Sequence, residues 1–318
     1  MGLTEKNIFM TITYRIIYAL VRLMSVIPLH VAQFIGRMLG RAFARVPLSR
    51  TKISLDNLRH AFGNCMTDDE IKTINKQVIM HFGEMLFEVP HILRLKPTNL
   101  DKYVVFQGEK NFLEAIGKGK GTFILTGHFG NWELMSAAIT LGFDFSSAVV
   151  VRPIDFSPAD RMISQIRSRF GTKIIDKQHA MRSIIRALKK NSVIGILLDQ
   201  NVDWYEGAFV PFFGSRACTN KGLALIALRT GAPVIPVFSV KQPDGRYRII
   251  FEKEVKLLIT GDNIRDLEEN TALFSRILEG YIRRYPDHWF WFHRRWKTRP
   301  FCPIPKTDNM RYAEGSRK

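Results

Sequence analysis

The stretch Thr126 to Leu134, with the sequence TGHFGNWEL, brings a potential base close in sequence to a carboxylate. His128 follows an apolar run of strand length, and Glu133 lies where a helical pattern begins. Inside a single helix, five residues would separate these two side chains by about 140° of arc. The two side chains can therefore meet only if His128 precedes the helix, in a turn.

The residues of this turn suit such an arrangement. Gly127 and Gly130 permit a tight backbone, and Asn131 is a good N-cap that places Glu133 in the first helical turn. A carboxylate there can accept the Nδ1–H of His128, fix the tautomer, and stabilise the imidazolium formed when Nε2 takes a proton. The segment offers no protein nucleophile, which favours activation of a substrate hydroxyl. The alternative is structural: a histidine that caps a turn and a surface glutamate near a helix N-terminus.

The elements that would position this turn alternate from Tyr103 onward, with apolar runs of strand length followed by helical segments. This alternation predicts an α/β fold with a mostly parallel or mixed central sheet, flanked by helices on both faces. The turn Pro243-Asp244-Gly245 predicts that the last two strands form an antiparallel hairpin. Strands are predicted at 103–107, 122–126, 147–151, 172–175, 193–198, 234–240 and 247–251, and helices at 109–117, 132–141, 158–170, 180–189, 222–229 and 264–285.

Two charged residues directly follow predicted strands. Arg152 ends the run Val149 to Val151, and Asp199 ends the sequence LLD. Ligands gather at the carboxyl ends of strands in open α/β sheets, and arginine binds phosphate in a bidentate manner. The alternatives are an ion pair between Arg152 and Asp155, and a structural role for Asp199 in holding the loop that follows or an arginine.

The loop from Gln200 to Arg216 is unusually aromatic and contains Trp204, Tyr205, Phe209, Phe212 and Phe213. An ordinary exposed loop carries less aromatic surface. The sequence leaves two interpretations open: the loop folds back as a core plug, or it lines an apolar tunnel that faces a membrane.

The N-terminal segment predicts association with a membrane. Residues 8–28 are apolar and aromatic but contain Arg15 and Arg22, which an interfacial helix or a tilted anchor accommodates better than a clean membrane span does. A second helix presents Arg37, Arg41 and Arg45 at helical spacing, which favours contact with anionic lipid headgroups over a merely solvated basic face. We therefore predict membrane-anchoring helices at 1–46, a catalytic domain at 47–305 and a basic tail at 306–318.

The composition indicates a globular protein with an anionic partner. The 318 residues contain 47 Lys and Arg against 29 Asp and Glu, a net charge of +18, which points to nucleic acid, an acidic membrane surface, or an acidic protein or substrate. The three cysteines have no metal-binding spacing and indicate a reduced compartment. A basic nucleic-acid-binding protein and a non-catalytic membrane scaffold remain alternatives, although no nucleic-acid motif is present.

Several motifs together resemble one enzyme family. HFGNWE at residues 128–133 is similar to the HxxxxE motif of the bacterial lipid A biosynthesis acyltransferases, the lauroyl and myristoyl transferases of endotoxin assembly. VRP, LLDQ, FFG, TGAPVIPV and FHRRWKTRP occur in the family's order with compatible gaps, so the resemblance covers nearly the whole chain from about residue 16 to residue 300. The C-terminal motif interleaves aromatic and basic side chains, which suits a lipid–water interface or single-stranded nucleic acid.

The resemblance implies transfer of a fatty acyl chain from an acyl carrier protein thioester, rather than from acyl-CoA, to a hydroxyl of a Kdo-modified lipid A precursor. His128 would be the general base and Glu133 its orienting residue, with backbone N–H groups near Gly130 and the helix N-terminus stabilising the oxyanion. A ternary complex without an acyl-enzyme is expected.

The resemblance further implies a site on the cytoplasmic face of the inner membrane. Asn131, Arg152, Arg167 and Asp199 are the predicted substrate-binding residues, with Arg167 the second candidate after Arg152 for binding an acceptor phosphate. The expected partners are the acyl carrier protein, the anionic membrane and a glycolipid acceptor, with no metal, no cofactor and no nucleic acid. The acceptor could instead be a phospholipid, an ornithine lipid or another glycolipid.

Overall fold

The computed structural model describes residues 3–178 and 180–300, so the predicted basic tail lies outside the described residues. Four helices and two short 3-10 segments precede the first strand. Helix α4 begins at the capping box formed by Thr67 and Glu70, because each side chain bonds the other residue's backbone N–H. The helices are α1 (Leu3–Val26), α2 (Leu29–Phe43), α3 (Ser49–Phe62) and α4 (Asp68–Glu88), and the 3-10 segments are Val89–Arg94 and Pro97–Lys102.

The rest of the chain forms the predicted α/β architecture. The elements follow in the order β1 (Val104–Gln107), α5 (Glu109–Gly117), β2 (Thr122–Thr126), α6 (Trp132–Gly142), β3 (Ser147–Val151), α7 (Ser157–Ser168), β4 (Lys173–Asp176), α8 (Ala180–Leu188), β5 (Val193–Leu197), β6 (Gly207–Phe212), β7 (Ser215–Asn220), α9 (Gly222–Thr230), β8 (Val234–Lys241), β9 (Tyr247–Phe251), α10 (Asn263–Arg284) and a 3-10 turn, Pro286–His288. The fold class is confirmed, and each predicted strand and helix from residue 103 onward is present.

Seven of these strands form one sheet in the order β1-β9-β8-β2-β5-β3-β4. All neighbours are parallel except β8 and β9, which pair antiparallel as the hairpin prediction required. Strand β2 is buried along its whole length, because Ile124 faces the apolar cluster beneath α5, α6 and α7 while Phe123 and Leu125 face the cluster beneath α8 and α9. The sheet is thus covered on both faces.

The aromatic loop after β5 contains the two-stranded hairpin β6–β7, which the sequence did not predict. Phe212 and Phe213 are buried in the cluster that also holds Trp289 and Trp291, so this part of the loop is a core plug. Two of the loop's aromatic side chains, Trp204 and Tyr205, remain exposed and pack edge to face against each other.

Helices α1 and α2 leave much apolar surface uncovered. Residues Phe9–Val26 of α1 form a helix long and apolar enough to cross a membrane by length and composition, and little of it is buried. One face of α1 packs on α7, where the Tyr14 hydroxyl donates to Gln165 Oε1 at 2.6 Å and the Arg161 guanidinium lies over the Tyr14 ring. The exposed apolar side chains of the two helices are Phe9, Ile12, Ile16, Leu20, Leu23, Val26, Phe34, Met38, Leu39 and Phe43.

Helix α2 is fixed to α4 by close backbone contact. A Cβ added to Gly36 would lie 2.5 Å from the Gly83 carbonyl oxygen, so the two helices approach each other where glycine removes the side chain. Arg37, one of the predicted lipid-facing arginines, forms an ion pair with Glu84 of α4 at 2.8 Å. Contact between this basic face and lipid headgroups stays a prediction.

Candidate active site

The site lies at the carboxyl edge of the sheet, where two central strands end side by side. Strands β2 and β5 are parallel neighbours, and Thr126 of β2 pairs with Leu197 of β5. His128 and Asp199 each follow these paired residues by two positions, so the strand register brings them to the same level. Strand order therefore makes neighbours of two residues that are 71 positions apart in sequence.

His128 and Asp199 are joined by two contacts. The ring Nδ1 of His128 lies 2.9 Å from Asp199 Oδ1, and the backbone N–H of His128 donates to Asp199 Oδ2 at 3.0 Å. The indole Nε1–H of Trp289 also donates to Oδ2, at 2.9 Å. Asp199 is fully buried, whereas the His128 side chain is 23% exposed. The buried carboxylate thus orients the imidazole through Nδ1, and the partly exposed ring keeps Nε2 away from this carboxylate.

Burial by itself raises the pKa of Asp199, because a carboxylate loses hydration inside a protein. The charge of the His128 imidazolium and the hydrogen bonds from His128 outweigh this cost, so the pKa of Asp199 lies well below its ordinary value. Asp199 is therefore ionised at neutral pH and can stabilise a proton taken up by His128.

The prediction that Glu133 bonds His128 Nδ1 is wrong. Glu133 lies in the first turn of α6, as predicted, but its carboxylate accepts hydrogen bonds from the Nε and Nη2 of Arg167, at 3.0 and 2.5 Å. It also accepts from Trp132 Nε1 at 3.0 Å. Trp132 packs edge to face against the His128 ring, with 5.0 Å between the ring centroids. Glu133 therefore contacts Trp132, which in turn packs against His128, and does not bond the His128 ring itself. The reason is that its position on α6 directs the carboxylate toward Arg167 of α7.

The turn between β2 and α6 has the predicted glycine geometry. Gly130 has a φ of +58°, and a Cβ there would overlap the carbonyl oxygen of Ser239, so only glycine fits. Its N–H donates to the His288 carbonyl oxygen at 2.8 Å. This N–H is therefore engaged within the protein, and stabilisation of an oxyanion by other N–H groups near Gly130 and the helix N-terminus stays a prediction.

Asn131 is the N-cap of α6, because its side-chain oxygen accepts from the Leu134 N–H at 3.0 Å. Its amide Nδ2 donates to Glu88 at 3.0 Å, and Glu88 also binds Lys241 and the Tyr247 hydroxyl. Asn131 is fully buried. The prediction that it binds substrate is wrong, and its observed role is to cap the helix and join it to α4.

The other predicted substrate-binding residues have different surroundings. Asp199 has no exposed surface and bonds His128 and Trp289 rather than an arginine, so its observed role is to hold the His128 ring, and substrate binding by Asp199 stays a prediction. Arg167 is largely buried against Glu133. Arg152 is 78% exposed at the end of β3 and lies 3.4 Å from Asp155, a weak contact between two solvated groups. Phosphate binding by Arg152 and Arg167 stays a prediction.

The free ring nitrogen of His128 faces a small set of side chains. Nε2 lies 3.5 Å from the amide Nε2 of Gln200, and the rings of Trp132 and Phe290 pack around the imidazole. None of these contacting groups is a hydroxyl or a thiol. The arrangement can take a proton from a bound hydroxyl but provides no protein nucleophile beside the base.

An apolar cavity of about 50 Å³ lies between α6 and strands β2, β3 and β5. Its walls are almost wholly apolar, and Gly195 on β5 leaves space that a side chain would fill, since an added Cβ would meet only Val149 and Ala148 within 4 Å. Thr126 and Trp132 connect the cavity to the His128 turn. The aromatic loop contributes no residue to this cavity, and the interpretation of its exposed part as the lining of a tunnel stays a prediction. The lining residues are Ile124, Thr126, Trp132, Met135, Ser136, Ile139, Thr140, Phe145, Ser147, Ala148, Val149, Val193, Gly195 and Leu197.

The C-terminal aromatic and basic segment is internal in part, whereas Arg294, Lys297 and Arg299 are exposed. Trp289, Trp291 and Arg295 are fully buried, and Arg295 donates to the Cys218 carbonyl oxygen at 2.9 Å. Both ring nitrogens of His293 contact backbone carbonyl oxygens, and burial lowers its pKa to about 4. Trp289 and Trp291 therefore pack inside the protein beneath the His128 turn, and binding of lipid or nucleic acid by the exposed basic residues of the motif stays a prediction.

Two residues of this site were not predicted. Trp289 donates a hydrogen bond to Asp199, and the side-chain amide of Gln200 lies 3.5 Å from His128 Nε2. The sequence did contain a signal for Gln200, because it directly follows Asp199 at a strand end. Among the residues that the structure describes, no group of three or more His, Cys, Asp or Glu side chains could hold a metal ion.

Comparison with known proteins connects this geometry to a family. The sequence profile described as "Bacterial lipid A biosynthesis acyltransferase" matches residues 4–298. The chain is 26% identical over 277 residues to the lipid A biosynthesis palmitoleoyltransferase of Escherichia coli K12, covering 86% of this chain and 87% of the relative. It is equally similar to the lauroyltransferase of the same organism, with 86% and 88% coverage, and to a lipid A biosynthesis acyltransferase of Haemophilus influenzae, with 86% of each chain covered.

Proposed function

Because the chain belongs to the bacterial lipid A biosynthesis acyltransferase family, we propose that it transfers a fatty acyl chain from an acyl carrier protein thioester to a hydroxyl of a Kdo-modified lipid A precursor. The observation that carries this proposal is the His128–Asp199 pair, whose imidazole packs against Trp132, a residue that also lines an apolar cavity. Both features suit a reaction between a hydroxyl and a long-chain acyl group.

In the proposed reaction, His128 Nε2 takes the proton of the acceptor hydroxyl while Asp199 stabilises the imidazolium that results. The hydroxyl oxygen attacks the thioester carbonyl carbon, so a C–O bond forms. The tetrahedral intermediate then collapses, the C–S bond breaks, and Nε2–H returns the proton to the departing thiolate. The acyl chain passes directly to the acceptor in a ternary complex, since no hydroxyl or thiol side chain forms a hydrogen bond with His128 in the part of the chain that the structure describes.

The role of Asp199 replaces the one expected for Glu133. Asp199 accepts the Nδ1–H of His128 and thereby leaves Nε2 as the unprotonated, basic nitrogen. Glu133, which is itself bonded by Arg167, instead accepts a hydrogen bond from Trp132 Nε1. The Trp132 ring packs against His128 and also lines the cavity. Gln200, next to Nε2, is positioned to donate to the acceptor oxygen or to the developing oxyanion.

The apolar cavity supports binding of the donor's acyl chain. Its volume of about 50 Å³ is smaller than a long acyl chain, so binding requires lining side chains such as the flexible Met135 to move. Each methylene that enters is stabilised by about 0.8 kcal/mol. The exposed Arg152, at the same edge of the sheet, is the best available group for an acceptor phosphate.

The surface around the site supports work at a membrane. The apolar faces of α1 and α2 are exposed, and near the site Ile154, Phe156, Trp204 and Tyr205 are exposed as well. Aromatic side chains of this kind settle at lipid–water interfaces. We propose that the protein is held at the inner membrane by α1, with the site on the cytoplasmic side.

The experiment measures transfer of labelled acyl chain from acyl carrier protein to a tetra-acylated, Kdo-modified lipid A precursor in detergent micelles. Wild type should transfer, His128→Ala should lose activity by about 100-fold or more, and His30→Ala, an exposed histidine on α2, should not change it. Transfer only to a phospholipid, an ornithine lipid or another glycolipid would move the proposal to that acceptor. Equal activity of wild type and His128→Ala would show that this site does not carry the reaction.

A further inference from the structure

Helix α8 presents a basic face that the proposed chemistry does not use. Its buried face consists of Ala180, Ile184 and Leu188, which pack on the sheet. On the opposite face, Arg182 and Arg186 are exposed, and the exposed Lys189 and Lys190 follow the end of the helix. At 100° per residue these four cations fall within about 100° of arc, so they form one strip. We call this strip the α8 basic face.

The stability of the helix does not account for this face. Cations one turn apart repel each other, and Arg182 lies in the first turn, where the helix dipole disfavours positive charge. There is no acidic residue in α8. Among the residues that the structure describes, none of the four cations has an ion-pair partner, whereas Lys177, just before the helix, is paired with Glu206 at 2.6 Å. The charges of the α8 basic face are therefore open to an external partner.

The amino end of the face, with Arg182, lies at the sheet edge that carries the active site. Strand β4 ends at the same sheet edge as β2 and β5, because all three strands run parallel, and the amino end of α8 follows from it. The ion pair of Lys177 with Glu206 ties this corner to the loop that begins at Asp199 and Gln200. The exposed Met181 adds an apolar contact beside Arg182.

The face is also separate from the apolar helices. Residues of α8 pack in the cluster with Phe123 and Leu125, whereas α1 and α7 pack with the cluster on the other face of the sheet. A macromolecule that approaches from solvent can therefore reach the α8 basic face while α1 engages a membrane.

We propose that the α8 basic face is the docking surface for the acidic carrier protein that presents the acyl thioester. This inference rests on the proposed function, because it assumes a carrier protein as donor. An acidic protein matches four unpaired cations in sign, and docking beside the carboxyl edge of the sheet leads a flexible prosthetic arm toward His128. Such rim charges act mainly on the rate and affinity of encounter and little on the chemical step.

The test compares the wild type with Arg182→Glu/Arg186→Glu in steady-state transfer from acyl carrier protein. The variant should raise KM for the acyl carrier protein by about tenfold or more at low salt, leave kcat unchanged, and lose most of the salt dependence of kcat/KM. Transfer from an acyl N-acetylcysteamine thioester, which lacks the protein, should be the same in both. The milder Arg182→Gln/Arg186→Gln variant should give a smaller rise and guards against misfolding of the charge-reversed protein.

Lys253→Glu/Lys256→Glu is the matched control. These two exposed lysines follow β9, which runs antiparallel to β8 and so ends at the sheet edge opposite His128. The control should keep the wild-type KM. If Arg182→Glu/Arg186→Glu and Lys253→Glu/Lys256→Glu had the same KM for the acyl carrier protein, the docking surface would be overturned and the proposed function would stand.

A direct binding measurement separates the remaining outcomes. Binding of fluorescently labelled carrier protein to wild type and variants is followed by anisotropy. Binding that depends on Arg182 and Arg186 without transfer to any acceptor would support the surface and overturn the proposed function. A wild type that neither binds the carrier protein nor transfers from it would overturn both.

Discussion

Replacing Asp199 by asparagine tests the orienting role of this carboxylate most directly, because the structure dictates how the amide must sit. Oδ1 receives His128 Nδ1, and Oδ2 receives two N–H donors, from the His128 backbone and from Trp289. An asparagine has one accepting oxygen and one donating NH2. If its oxygen faced Nδ1, the NH2 would oppose two N–H donors inside a fully buried site.

The opposite orientation of the asparagine is therefore favoured. The amide oxygen then keeps both the Trp289 and the backbone bonds, and the NH2 donates to His128 Nδ1. This forces the proton of the neutral imidazole onto Nε2, which is the nitrogen that must act as the base. The variant should fold, with a loss of only about 1–2 kcal/mol from exchanging charge-assisted bonds for neutral ones.

The catalytic loss should be much larger than this stability loss. A general base contributes about 100- to 10,000-fold to rate, which corresponds to about 3–5.5 kcal/mol of activation free energy. We expect kcat for acyl transfer to fall by this factor, with KM for the acceptor within about twofold because Asp199 has no exposed surface. Nitrogen-15 chemical shifts of the His128 ring should report the Nε2–H tautomer in the variant and Nδ1–H in the wild type.

The comparison variant is Glu133→Gln, which keeps one accepting oxygen for Trp132 Nε1 and Arg167 Nη2 but removes the charge and the oxygen that accepts from Arg167 Nε. If Asp199 orients the base, this change should cost at least about tenfold less in kcat than Asp199→Asn. A loss for Glu133→Gln as large as that for Asp199→Asn, with an unchanged His128 tautomer in the latter, would refute the reasoning and restore the sequence-based choice of Glu133.

Three further expectations follow from the site and its turn. Gly195→Val should fill the apolar cavity and shift the preferred donor toward shorter chains, at about fourfold in kcat/KM per excluded methylene; an unchanged chain-length profile in competition assays would contradict this. Gly130→Ala should cost about 3 kcal/mol or more in urea unfolding, because the new Cβ meets the Ser239 carbonyl oxygen, whereas Gly119→Ala, also at positive φ but with open space, should cost about 1–2 kcal/mol. The pKa of Asp199 is lowered in the fold, so its ionisation stabilises the protein above its ordinary pKa of 3.8 and the contribution disappears as pH falls through the folded value. Between about pH 5 and about pH 2 the wild type should therefore lose more free energy of unfolding than Asp199→Asn, and identical acid profiles would contradict this.

Local patterns in the sequence were sufficient for the elements of this protein. The strand ending at Thr126, the glycine turn with Gly130 at positive φ, and the cap at Asn131 are all present as predicted. These features depend on backbone preferences, side-chain period and short-range hydrogen bonds, which are properties of neighbouring residues. His128 was found in the same way, because a base in a strand–turn–helix is a local feature.

The partner of that base was decided only by the tertiary structure. Glu133 is near in sequence, but the helix directs it to Arg167, whereas β5 pairs with β2 and delivers Asp199 to His128. Which strands become neighbours depends on packing across the whole sheet, and no local spacing records it. The same holds for Trp289, which comes from the far end of the described chain to hold Asp199. The sequence alone therefore determined the elements and the base, and strand order and core packing selected the carboxylate that orients it.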